Sequence, residues 1–319
     1  VKKQAQQPAE NYTEQLKKLQ EKYEAMGQDL SSYLDGLLYS DYLTYWDYIH
    51  LDTLLSLQTP RTRFKDEMVF IVYHQITELY FRLIRWELEQ ISAHAHPDAE
   101  FLSARVTRIN RYFRNLVGSF DIMTEGMEKD QFLKFRMALL PASGFQSAQY
   151  RLIELGCTDM INLVVPERRA ELQQTGDVDA MLEHLYWRRG ATELATGQKT
   201  LTLRQFEEKY MELFRQTGKA LIACNLYALY RKHYVKNAAI MEKLRELDTL
   251  ANVMWPLAHL KSAGRYLHKD PEAIRATGGT NWQKYLPPRF QKVIFFPDLW
   301  SEAEKAEWGR AAFAHGPEG

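Results

Sequence analysis

Apolar residues recur along this chain at helical intervals of three and four. No strand-type alternation lasts beyond four or five residues. Residues 66–91, DEMVFIVYHQITELYFRLIRWELEQI, predict one long helix, apolar round nearly its whole circumference and therefore buried. Within that run stands a single imidazole, His74, with Phe70 one turn earlier on the same face. Upstream, the first ten residues are polar and expected to be disordered. Tyr12, Leu16, Leu19, Tyr23 and Met26 then mark an amphipathic helix, with a short apolar link over 31–39. Residues 44–58 read as a helix with Tyr45, Tyr48, Ile49 and Asp52 on one side, stopped by Thr59 and Pro60.

Downstream, a helix is predicted over 100–120. Residues 131–156 begin helical, break at Pro-Ala-Ser-Gly over 141–144, and resume. Residues 157–200 are more polar and read as an excursion with one short helix over 181–188. Two helical patterns fill 203–234, and a long helix over 236–266 carries His259. Pro256, three residues before that histidine, is expected to kink it. A glycine-rich loop, ATGGTNW over 276–282, and an aromatic-containing cap complete the chain. The expectation is an all-α helical bundle with a cofactor pocket between long helices. We expect an N-terminal extension and helix over 1–39 and a single domain over 40–319.

Composition narrows the function. Lys+Arg and Asp+Glu are 41 each among 319 residues, so nucleic acid and anionic membrane are not expected as obligatory partners. Aromatic residues make up 13 %, enough to line a pocket as well as fill a core. Cys157 and Cys224 form no CxxC pattern, which predicts reduced thiols and a cytoplasmic protein. No run is long and apolar enough to span a membrane.

The chemistry rests on few residues. His74 and His259 alone among nine histidines sit in apolar stretches of long helices. Such a histidine is either a hydrogen-bonded core residue or a haem ligand, because neutral imidazole offers one lone pair to iron. No HExxH or ExxH pair suggests a zinc or di-iron centre. Arg136 shares a face with Phe132 just before the 141–144 break, and suits either a structural ion pair or a substrate carboxylate. Ser143 can cap the next helix or point into a pocket. The TGGT loop lacks both GxGxxG and GxxxxGK and is not read as a nucleotide loop.

In order along the chain, YWDYIHLDTLLSLQ (45–58), DEMVFIVYHQITELYFRLIRWEL (66–88), FLKFRMALLPASGFQSAQYRLIE (132–154), WPLAHLKSAGR (255–265) and ATGGTNW resemble the motifs of the tryptophan 2,3-dioxygenase family. The resemblance covers about residues 40–300. It implies one haem b per subunit with His259 as the proximal iron ligand and Ser143 near the distal haem face. It implies that His74 hydrogen-bonds the indole N–H, that Phe70 and Phe132 wall the indole, and that Arg136 binds the substrate carboxylate. Thr277 would hold the ammonium and carboxylate end. Tyr45, Tyr48 and Ile49 would close the pocket of a neighbouring subunit in a homotetramer, a dimer of dimers. The implied reaction joins L-tryptophan and O2 into N-formyl-L-kynurenine, the first step of tryptophan catabolism through kynurenine. Two alternatives stand beside it: a haem monooxygenase acting on tyrosine or a substituted tryptophan, and a non-catalytic haem sensor or helical interaction protein.

Overall fold

The structure, a computed structural model, describes residues 10–39, 44–136, 146–189, 191, 198–267 and 287–310. Every regular element among the described residues is helical, apart from one isolated bridge between Val164 and Leu185. The chain divides into two compact units, Val1–Gln58 and Thr59–Gly319.

The first unit holds α1 (Glu10–Ala25), α2 (Leu30–Tyr39), α3 (Tyr45–Tyr48) and α4 (Leu51–Leu55). Gly27 takes the left-handed conformation that ends α1. The Asp29 carboxylate then accepts the Ser31 and Ser32 amides and starts α2. The segment over 31–39 is thus helix, not a link. Residues 44–58 are not one helix either. His50 adopts φ 51° and parts α3 from α4.

The second unit is built round α5 (Asp66–Ser92), α6 (Ala99–Ser119), α9 (Ala148–Cys157) and α15 (Ala238–Thr249). Helix α5 packs against α6 and α9, and α15 covers the other side of α6. On α6 the spacing of Leu102, Val106, Ile109, Phe113 and Leu116 aims one stripe inward, and all five are essentially inaccessible. Burying each such side chain contributes about 1.5–3 kcal/mol. Asp98 caps α6 by accepting the Phe101 amide. Buried Glu87 on α5 takes Arg105 at 3.0 Å and Arg108 at 3.3 Å from α6, fastening the two helices.

Helix α5 departs from expectation in one respect. Tyr73, Thr77, Phe81, Ile84, Leu88 and Ile91 are buried, but Met68, Val72, Ile76, Leu79, Leu83 and Trp86 form an exposed stripe on the opposite side. The unit's own core covers only one flank of this rod.

The region 157–200 also differs. It holds a 3-10 turn (Met160–Leu163) and three helices, α10 (Pro166–Thr175), α11 (Val178–Glu183) and α12 (Tyr186–Arg189). It is not a polar excursion, because Leu163, Val164, Val165, Leu172, Leu182 and Trp187 enter the core. Helices α7 (Asp121–Glu125) and α8 (Lys129–Phe135) lie near the start of α5. The Asp66 side chain accepts the Glu128 amide at 2.6 Å, and Gln131 accepts the Asp66 amide, so α8 is registered on α5. Helices α13 (Leu201–Leu221) and α14 (Leu226–His233) complete the packing round α9.

Residues 238–267 form one rod. Helix α15 passes into a wide π turn (Leu250–Met254) and then α16 (Trp255–Leu267). The expected effect of Pro256 on this rod is taken up by that turn, where the Trp255 amide reaches back five residues to the Leu250 carbonyl. The chain continues as α17 (Pro288–Gln291), a 3-10 turn (Pro297–Leu299) and α18 (Glu302–Ala306). A capping box between Ser301 and Glu304 opens α18.

Candidate functional site

Four elements share one aromatic cluster: α5 brings Phe70, Tyr73 and His74; α6 leads into Phe120; α8 brings Phe132 and Phe135; α16 brings Trp255, His259 and Tyr266. Their rings form a continuous aromatic wall. Phe70 stacks on His74 with centroids 4.0 Å apart, and meets Phe132 at 6.2 Å and Phe135 at 5.8 Å. Phe132 lies 4.4 Å from Tyr266. Phe120 joins Trp255 at 4.9 Å and His259 at 5.9 Å. Phe135, Tyr73 and Tyr266 are buried behind, while Phe70, Phe132 and His259 are only half covered.

The protonation of His74 follows from its partner. Its Nδ1 sits 2.7 Å from the Phe70 carbonyl oxygen. A carbonyl only accepts, so Nδ1 carries the proton and Nε2 of the neutral ring keeps a lone pair. Burial lowers the pKa of this imidazole, opposed by the hydrogen bond to Phe70 and by Glu78. Yet the ring is open to solvent on one side.

His259 is pushed down to about 4, first by burial and second by the charge of His74. It is therefore neutral at physiological pH. Through Tyr73 and Phe120 the two imidazoles, 185 positions apart in sequence, belong to one run of touching rings. A planar, largely apolar macrocycle suits such a space. His259 would offer it a lone pair, and the aromatic rings would offer apolar contact.

Arg136 occupies the C-cap of α8, 8 % exposed, one turn beyond Phe132. A cation there is favoured by the helix dipole. Ser143 and Thr277 lie outside the described residues, as do the 141–144 break and the glycine loop. Tyr45 and Tyr48 are exposed on α3, and Ile49 is its half-buried C-cap; all three belong to the first unit.

The structure thus brings together Phe70, His74, Phe132 and His259 from the sequence reading, and places Arg136 buried at the end of the helix that carries Phe132. It adds Tyr73, Phe135 and Tyr266. The signals for the last two were spacing alone: Tyr266 follows His259 by seven residues and Phe135 follows Phe132 by three, each on a shared face.

A sequence model of the family described as tryptophan 2,3-dioxygenase matches residues 36–205. The chain is 30 % identical over 272 residues to the tryptophan 2,3-dioxygenase of Ruegeria pomeroyi, covering 82 % of this chain and 92 % of the relative. It is 30 % identical over 285 residues to that of Anaeromyxobacter dehalogenans, covering 84 % and 97 %. Against that of Bacillus thuringiensis it is 31 % identical over 277 residues, covering 84 % and 94 %.

Proposed function

The chain belongs to the tryptophan 2,3-dioxygenase family, and from that premise we propose how the recess on α5, α6, α8 and α16 carries out its reaction. The enzyme cleaves the indole C2–C3 bond of L-tryptophan with O2 and yields N-formyl-L-kynurenine. Both oxygen atoms enter the product, so no reductant is consumed per turnover. The observation that supports the assignment of residues is one run of touching rings that carries His74 on α5, against Phe70 and Tyr73, and His259 on α16, against Phe120.

In this reading His259 would hold a haem b through its iron, because burial keeps its lone pair free of a proton. When bound, the haem supplies the redox-active iron that addition of O2 to an indole requires. The protein's share is orientation and exclusion of water. His74 accepts the indole N–H at Nε2, since Nδ1 is committed to the Phe70 carbonyl. Phe70 and Phe132 wall the indole, backed by buried Phe135. Arg136 binds the carboxylate with its planar fork. Thr277 holds the ammonium and carboxylate end, and Ser143 stands near the distal haem face; both roles rest on the family motifs.

The reading extends to a homotetramer, a dimer of dimers. The exposed apolar stripe of α5 supports it, as do the exposed rings of Tyr45, Trp46 and Tyr48 on α3. Within it, residues 1–39 serve as an extension to a haem domain over 40–319. No described helix is long and apolar enough to cross a membrane, and the free thiols of Cys157 and Cys224 fit a reducing cytoplasm.

The test is product analysis with isotopically labelled O2 and L-tryptophan, without peroxide or added reductant. N-formylkynurenine carrying two labelled oxygens is expected. A hydroxylated product with one label, or no Soret band after expression with haem supplied, would overturn the reading.

A further inference from the structure

The helix that carries His259 reaches the recess only through an irregular turn. In an unbroken α-helix His259, twelve residues after Leu247, would lie about 120° round the rod from it. The π turn accommodates one extra residue, which sets the following helix back by about 100°. His259 then falls within about 20° of Leu247, and Tyr266 falls almost in line with it. The burial pattern agrees: Leu247 is 0 % and Tyr266 2 % exposed. An unbroken helix would turn both His259 and Tyr266 away from that side.

A π turn leaves a carbonyl without its usual partner. The Trp255 amide, which in an α-helix would donate to Ala251, donates to Leu250 instead. Ala251 is completely buried, so water cannot satisfy its carbonyl. The Tyr150 hydroxyl of α9 donates to that oxygen at 2.9 Å. Tyr150 is itself buried and packs on Phe81, 5.3 Å between centroids, and Phe81 in turn meets Trp255 at 6.0 Å. Burial holds the Tyr150 phenol well above its ordinary pKa, so it remains a donor. On the other side of the turn, the Asn252 amide donates to Asp248 at 2.7 Å.

We propose that Tyr150 is a positioning residue for the haem ligand: its hydroxyl stabilises the π turn that aims His259 into the recess. The inference rests on His259 being the axial ligand. Removing only the hydroxyl leaves the Ala251 carbonyl buried and unpaired, which favours closing the turn to α geometry and rotating the imidazole out of line.

The test compares Tyr150→Phe with Tyr186→Phe. Tyr186 is a half-covered tyrosine of this unit whose hydroxyl is engaged with Glu154 at 2.5 Å and with Arg151 at 3.1 Å, and not with a carbonyl of the turn. Haem release to a scavenging apoglobin and the iron–histidine vibration of the ferrous holoprotein are measured for both. Y150F should release haem at least tenfold faster and shift the vibration, while Y186F changes neither. Equal release rates and an unmoved vibration in Y150F overturn the proposal, as does an equal effect in Y186F. Hydrogen exchange on the full wild-type chain gives a reading that needs no variant. Amides over 250–258 should be protected to the level of α15, and rapid exchange there would reject the tether. A wild-type chain that takes up no haem would instead reject the functional reading, and the exchange result would stand independently.

Discussion

Asp248 offers the sharpest test of the physical reasoning. Its carboxylate is fully buried on α15. It accepts four hydrogen bonds: Asn252 Nδ2 at 2.7 Å and the Phe295 amide at 2.9 Å on Oδ1, and Trp300 Nε1 at 2.9 Å and the Phe296 amide at 3.1 Å on Oδ2. None of these partners is a cation. Burial therefore pushes the pKa up from 3.8 to about 6, against the pull of all four bonds. That rise corresponds to about 3 kcal/mol set against the ionised form. Asp248→Asn removes the charge but turns an amide NH2 toward two of the four donors. Two hydrogen bonds to a charged group are lost, about 1.5–3 kcal/mol each. Two lost bonds, about 3–6 kcal/mol together, stand against about 3 kcal/mol of relieved charge, so D248N should be up to about 3 kcal/mol less stable at pH 7. The pH dependence fixes the sign. The folded pKa is raised, so the contribution of Asp248 is greatest below 3.8 and is lost as pH rises through about 6. Asparagine has no such dependence, so the gap between wild type and variant should widen by about 1 kcal/mol from pH 7 to pH 5. Urea unfolding at both pH values, followed by circular dichroism and tryptophan fluorescence, measures this. A variant more stable than wild type at pH 7, or a gap that narrows on acidification, would refute the reasoning.

Other outcomes follow from the recess. His259→Ala should remove the Soret band while leaving helical circular dichroism unchanged; normal haem content would contradict the ligand assignment. Arg136→Ala should weaken tryptophan binding by about 2–5 kcal/mol, the usual cost of removing one partner of a desolvated charge pair. Steady-state kinetics checks this through KM, which should stay unaltered only if the carboxylate binds elsewhere. Phe135→Ala empties a fully buried site behind Phe70 and Phe132. It should cost about 3–5 kcal/mol in unfolding free energy, and a loss below about 1 kcal/mol would mean the wall is not close-packed there.

Long periodic helices were plain from the pattern of apolar positions. Helix α5 was read over 66–91 and runs Asp66–Ser92; α6 was read over 100–120 and runs Ala99–Ser119. Periodicity did not show which apolar residues of α5 stay uncovered, because Met68 and Tyr73 look equally inward when no neighbour is specified. The region 157–200 was misread because Glu167, Arg168, Arg169 and Glu171 dominate its composition. Its inward residues sit on helices of four to ten residues, too short to display a period. The break at His50 carries only a weak local signal, since histidine enters the left-handed region more often than most residues but far less readily than glycine. In the site, Phe70 with His74 and Phe132 with Arg136 were readable as pairs on shared faces. Their meeting with His259 was not, because it depends on how α16 is phased against α15. Pro256 was the one visible sign of that irregularity, and the extra residue of the π turn is indistinguishable by pattern from a slow drift of the apolar stripe.

Helix α5 has two working flanks. One carries Phe70 and His74 in the recess, and the other carries the uncovered stripe from Met68 to Trp86. A 27-residue helix is close to a rigid rod. Any contact that covers the stripe and any ligand that fills the recess therefore act on the same body. If occupancy of one flank alters how readily the other is occupied, the effect must be equal in both directions. Ligand affinity would then vary with protein concentration, and dilution would loosen the grip on ligand without any residue of the recess being changed.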